Sequence, residues 1–232
     1  MNRFEILTKN ENMLYADTCP VLLKKHAITY DNIDDKVLLQ LMLKNISEKI
    51  ITALYISVKC YGADSEEYSA LDEFVYLDLH VNKQDEFGDQ VPVYLPDKNT
   101  RKVEIKCKKI IFSDGTKWEN SNNNFYKNEL KTETLENHLT KEQYSFLIDT
   151  INNDIKSKKI IYFPSQVNDL VICPCGAIYK KNQPCPICEK TIDWWKNKVD
   201  KQYLNKQIKE KKDTIRRNAE IEKKLKMTNN CI

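Results

Sequence analysis

Four of the eight cysteines in this 232-residue chain stand within one short stretch, "CPCGAIYKKNQPCPIC" (173–188). No other feature restricts the fold so sharply, because a segment this short and polar cannot bury a core without a cross-link or a metal. Cys173 and Cys175 make one knuckle and Cys185 and Cys188 a second, with nine residues between. Knuckles of C-x-C and C-x-x-C spacing aim four thiolates at one point, the tetrahedral sulfur cage that zinc prefers. Gly176 and Pro186 stand where tight turns need them, and "LVI" and "AIY" around the first knuckle offer a two-stranded ribbon. Structural disulfides and a thioredoxin-like redox pair compete with this reading. The first is disfavoured without a secretion signal, the second without a βαβ unit. The expectation is a small zinc ribbon over 166–195 with Cys173, Cys175, Cys185 and Cys188 as ligands. Four thiolates fill the zinc tetrahedron and leave no position for water or substrate, so the Zn2+ is expected to be structural.

Upstream, apolar residues recur with a period of two, the mark of half-buried strands whose successive side chains point to opposite faces. In "VLLQLMLKN" the residues Val37, Leu39, Leu41 and Leu43 share a face. "IITALYISVKC" places Ile50, Leu54, Ile56, Val58 and Cys60 together, and "NISEK" between these strands reads as a polar turn of hairpin length. "EFVYLDLHV" is expected to turn Val75, Leu77, Leu79 and Val81 inward, with Tyr76, Asp78 and His80 outward. Pro92 makes "VPVYL" an edge strand, since proline has no amide to donate. "RKVEIKC" points Val103, Ile105 and Cys107 inward, and Asp114-Gly115 in "SDGTKW" signals a hairpin towards Trp118. With an opening strand at "VLLKKHAIT", about seven strands recur in about 100 residues. That pattern predicts an antiparallel β-sandwich of immunoglobulin type over 1–120, with a small barrel as the alternative.

The stretch "VLLQLMLKNISEKIITALYISVKCYG", with the later "DG…W" hairpin, resembles the Ig-like modules of Gram-positive bacterial proteins, including FxLYD-type domains. The resemblance covers roughly 18–120 and implies a binding or scaffolding unit with no catalytic residues to carry over. The cysteine stretch is similar to zinc ribbons and to the Ran-binding-protein type of finger, whose pattern is W-x-C, C, asparagine, C-x-x-C. The cysteines match, whereas Val171 stands at the place of the tryptophan and Tyr179 at that of the asparagine. The single-stranded RNA recognition of that finger type is therefore in doubt for this chain.

Residues 121–165 read as a linker and an amphipathic helix, the linker opening in the asparagine-rich "ENSNNNFYKN". Thr140 as N-cap with Gln143 three residues on forms a capping box, and Leu139 with Tyr144 fits a hydrophobic staple. Tyr144, Leu147, Ile148, Ile151 and Ile155 then make one apolar stripe, closed by "NNDIKSKK". From Thr191 the chain reads as one long helix in which Ile192, Trp195, Val199 and Tyr203 lie along a face towards the ribbon. Residues 196–232 hold 12 Lys/Arg against 5 Asp/Glu, whereas residues 1–120 hold 16 against 20. A basic helical tail thus follows a mildly acidic domain. The fold class expected is mainly β with α.

Glycine is scarce and isolated, at Gly62, Gly88, Gly115 and Gly176, so no clustered loop can cradle a phosphate. His26, His80 and His138 belong to separate segments, and no G-x-S-x-G or H-E-x-x-H motif occurs. No catalytic or cofactor-binding residue is expected, and the chain reads as a non-enzyme. Cys60 and Cys107 read as packed thiols, with Cys19 and Cys231 scattered elsewhere. No apolar run approaches the roughly 18–20 residues of a membrane helix, and the first residues lack a signal-peptide pattern, which points to the cytoplasm. The expected role is a zinc-binding adaptor that meets a protein partner through the sandwich or the last helix. The alternative is nucleic-acid binding by the ribbon and the Lys/Arg-rich stretch 196–226. Oligomeric state is left open.

Overall fold

Alternation of apolar residues builds the first of two units, Met1–Lys131 and Thr132–Ile232. The computed structural model describes residues 2–151, 155 and 160–229, with side chains as far as 224. Most of "NNDIKSKK" and all of Cys231 lie outside the described residues. The first unit runs β1 (Phe4–Asn10), β2 (Leu14–Tyr15), β3 (Val21–Asp31), β4 (Lys36–Asn45), β5 (Ile51–Tyr61), β6 (Glu67–Tyr76), β7 (Glu86–Phe87), β8 (Val93–Tyr94), β9 (Lys102–Phe112), β10 (Lys117–Glu119) and β11 (Asn128–Glu129). Two antiparallel sheets result. One has the order β11-β2-β3-β4-β7, with β1 also on β3 and β8 also on β4; the other has the order β10-β9-β5-β6. Leu39, Leu41 and Leu43 of β4 share one buried cluster with Leu54, Ile56 and Val58 of β5. Each such side chain contributes about 1.5–3 kcal/mol on burial. The architecture is sandwich-like.

Several expectations hold locally. Cys60 and Cys107 are buried, β8 follows Pro92 on the outside of β4, and β9 and β10 form the hairpin around Asp114-Gly115. There Phe112 N–H donates to Thr116 O at 3.0 Å, and Gly115 takes a φ of +78°.

Other expectations are corrected. "NISEK" is a crossing between sheets, because β4 and β5 belong to different ones. Buried Asn45 organises it: its Nδ2 donates to Lys49 O, Val81 O and Asn82 O at 2.9–3.2 Å, and its Oδ1 accepts from Ser47 N–H. The phase of β6 is opposite to the expected one. Phe74 pairs with Ile56 and Tyr76 with Leu54, and cross-strand partners share a face, so Phe74 and Tyr76 turn inward. Leu77 is left exposed (61%), and Asp78, at φ 53°, bends the chain before Val81 returns to bridge Ile51.

Strands β1 and β2, both paired with β3, are not apparent in the sequence. The asparagine-rich stretch folds onto the first unit: Tyr126 is buried with its hydroxyl donating to Val21 O at 3.1 Å, and β11 pairs with β2.

The second unit contains α1 (Leu135–His138), α2 (Lys141–Ile151), β12 (Ser165–Val167), β13 (Leu170–Ile172), β14 (Ile178–Lys180), α3 (Ile192–Lys198) and α4 (Lys201–Asn229). The capping box is present in both halves, Thr140 N–H to Gln143 Oε1 at 2.9 Å and Gln143 N–H to Thr140 Oγ1 at 3.2 Å. Leu147 and Ile151 of α2 are buried with Val171, Tyr179, Trp195, Val199 and Leu204, so helix, ribbon and tail share one core. The long helix read from Thr191 is divided at Val199-Asp200. Asp200 Oδ1 accepts from Tyr203 N–H at 2.8 Å and starts a new helix. The break resets the phase: Trp195 and Val199 stay inside, Tyr203 turns out (38% exposed), and Leu204 and Ile208 take over the buried stripe.

Candidate metal centre

The ribbon assembles the first knuckle. β13 and β14 pair with Val171 opposite Tyr179 and Ile172 opposite Ile178, which makes the residues from Cys173 to Ala177 the turn of a hairpin. β12 adds a third strand against β13. Cys173 N–H donates to Ala177 O, and Gly176 N–H to Cys173 O, each at 2.9 Å. Gly176 has a φ of +89°, in the left-handed region where a Cβ brings strain. From outside, the carbonyl of Pro174 accepts the amides of Ile161 and Tyr162 at 2.8 and 3.3 Å. No motif announced that support.

The second knuckle closes on itself. Cys185 N–H donates to Lys190 O and Glu189 N–H to Cys185 O, each at 2.9 Å. The amides of Ile187 and Cys188 approach Cys185 Sγ at 3.4 and 3.5 Å. Donors aimed at a sulfur favour its thiolate form. Thr191, just beyond, caps α3 by accepting from Trp194 N–H at 3.2 Å, and this fixes where Trp195 enters the core.

All four cysteines come together. Their sulfurs lie within 4.8 Å of one another, three of the residues buried and Cys175 half-buried. Cys173 and Cys188 are 3.5 Å apart, and Cys175 and Cys185 are 3.4 Å apart. A disulfide requires about 2.0 Å. A tetrahedron with metal–sulfur bonds of about 2.3 Å has edges of about 3.8 Å. The arrangement is that of a metal-binding cage.

Its electrostatics point the same way. A hydrogen bond with Cys175, then those with Cys185 and Cys188, push the Cys173 thiol well above its ordinary range. Hydrogen bonds from Cys173, Cys175 and Cys185 pull Cys188 far down. So many sulfurs cannot all ionise side by side without a cation to balance them. Burial, then the charges of the neighbouring cysteines, also raises the Tyr179 phenol. The Tyr179 hydroxyl and Trp195 Nε1 are buried without a hydrogen-bond partner among the described residues.

The other candidates stay dispersed. His80 is exposed, His138 stacks on Phe163 with ring centroids 4.1 Å apart, and His26 belongs to the first unit. No described helix is long and apolar enough to cross a membrane.

No protein-family model matches the chain, and no curated protein matches it. Among solved structures, a hypothetical protein from Peptoclostridium difficile 630 is similar over 52% of this chain and 88% of its own, at 13% identity and a TM-score of 0.29. A likeness of that size carries no inference about fold or function.

Proposed function

We propose that this chain is a non-catalytic, zinc-binding adaptor of the cytoplasm that meets a protein partner through its C-terminal helix, with the Ig-like sandwich as a second binding surface. Zinc is favoured over harder ions because all four donors are thiolates. A cage that offers four donors to a tetrahedral ion leaves no open position, which supports a structural role. Free thiols at this spacing belong in a reducing compartment.

The observation that carries the adaptor reading is the exposure of α4 beyond its core. From 209 to 224 every side chain is exposed except half-buried Asp213, and the exposed ones include Ile215 and Ile221. Sixteen residues of helix extend about 24 Å, and a helix that long is marginal alone in water. Capture from the native host by the intact chain is compared with capture by a chain ending at Lys212. Specific partners lost on truncation, with the fold retained, support the reading; identical captures from both sink it.

A second reading, nucleic-acid binding, rests on Trp194. This half-exposed ring has Lys190 Nζ 5.1 Å and Lys198 Nζ 5.4 Å from its centroid, and Lys198 also lies 5.8 Å from the Tyr203 ring. Rings with adjacent cations can stack bases and neutralise phosphate. Salt-sensitive binding of single strands that is weakened by Trp194→Ala would support it. No binding at low salt would remove it.

A further inference from the structure

His26 is turned the wrong way for a surface histidine. The β3–β4 register slips between Leu23 and Lys25, after which His26 lies opposite Leu41 and Ile28 opposite Leu39. Leu41, Leu39 and Ile28 are core residues, and cross-strand partners share a face, so the slip directs His26 towards the interior of the sandwich. There its Nδ1 is buried and has no hydrogen-bond partner among the described residues. Burial holds the ring below its ordinary pKa, which disfavours its charged form. A buried polar atom without a partner calls for an explanation.

Beside it lies a cavity of about 240 Å³, opening between β1–β3 of one sheet and the start of β9 in the other. Leu14, Ile28 and Val103 supply apolar wall. Lys9, Arg101 and Lys102 supply three cations, and no carboxylate lines the cavity. Arg101 is held in place, its Nη1 donating to Lys98 O at 3.1 Å and Thr100 O at 2.9 Å. That engages two of the five guanidinium donors. Lys9 is paired with exposed Glu11 at 2.7 Å, a contact of little strength in water.

We propose that this cleft binds a small organic acid, its carboxylate held by His26 and Arg101 and its short apolar body against Leu14, Ile28 and Val103. The cavity is smaller than the ~300–1,000 Å³ of drug-sized sites, which limits the occupant to a few carbons. Apolar wall beside the cations favours an organic acid over inorganic phosphate. An uncharged amide of the same shape would leave the cations unpaired.

The test is titration of the intact chain with butyrate, butyramide and inorganic phosphate, read by the NMR signals of the His26 ring and by calorimetry. The expected result is saturable butyrate binding that shifts His26, with no response to butyramide. Binding should weaken about tenfold or more in both His26→Leu and Arg101→Gln. His26→Leu places an apolar side chain on the core face, and Arg101→Gln is at the rim, so at least one folded variant is available. Absence of saturable butyrate binding, equal or tighter binding of phosphate, or undiminished binding in a folded variant overturns the proposal.

Discussion

Gln143 donates from Nε2 to Asn205 Oδ1 at 2.9 Å, and this bond ties the first turn of α2 to α4. The same side chain completes the capping box with Thr140, so one buried amide both starts a helix and docks it. Gln143→Ala removes both bonds and should cost about 1–3 kcal/mol. Asn205→Ala removes only the second and should cost less. Denaturant melts followed by tryptophan fluorescence in a Trp118→Phe background, where Trp194 and Trp195 report, would check the order.

Metal removal should act on the second unit alone. Cys173, Cys185 and Cys188 belong to the same buried cluster as Trp195 and Leu204, whereas the sandwich has a separate core. Zinc binding to small cysteine sites is worth about 10–16 kcal/mol at neutral pH. A strong chelator should abolish the near-ultraviolet signal of Trp195 and much of the helical signal, and leave the β-sheet signal. One zinc per chain is the expected metal content, and a folded second unit free of metal would refute the zinc assignment.

Arg3 donates from Nη2 to Asp31 Oδ2 at 2.8 Å and joins β1 to the end of β3. That bond, together with the amides of Ile33 and Asp34, holds the Asp31 carboxyl below the usual carboxylate range. A depressed carboxylate stabilises the fold above its unfolded pKa of about 3.9, and that contribution is lost as pH falls through the folded value. Arg3→Ala should move the Asp31 midpoint upward, measurable by carbon NMR, and bring acid unfolding of the first unit to a higher pH.

Tyr76 and Leu77 separate the two possible phases of β6. Tyr76→Ala should cost about 3–5 kcal/mol, as for other buried aromatic rings. Leu77→Ser should change stability by less than about 0.5 kcal/mol, because that side chain is exposed. The reverse order would restore the alternation read from sequence.

Asp200→Ala removes the cap that starts α4 and should cost about 1 kcal/mol. Thermal unfolding of the second unit would show it.

What was legible in the sequence is what local chemistry decides. The Thr140–Gln143 box joins residues three apart, and the cysteine knuckles are self-contained turns, so spacing alone revealed both. The phase of β6 was not legible, because "FVYL" is apolar on both faces and only pairing with Leu54 and Ile56 selects one. β1 and β2 depend on pairing with β3, and long-range pairing leaves no periodic mark in so short a segment. The inward turn of His26 was not legible, because the slip after Leu23 exists only between strands. Asp200 was visible as a residue but not as a boundary, since the apolar pattern runs on across it.

The division at Asp200 sets α4 apart from the short helix that follows the cysteines, yet Leu204 roots it in the core shared with the ribbon. Under the proposed adaptor reading, the long exposed end of that helix would be a lever whose fulcrum is the cysteine cage. If the cage holds an ion, as proposed above, the exposed end would have one bearing and a fixed reach. Withdrawal of that ion would melt the fulcrum and leave the cationic end a tether with no direction. Metal supply would thereby set the geometry with which this chain presents its charge, and no residue on the lever itself need change.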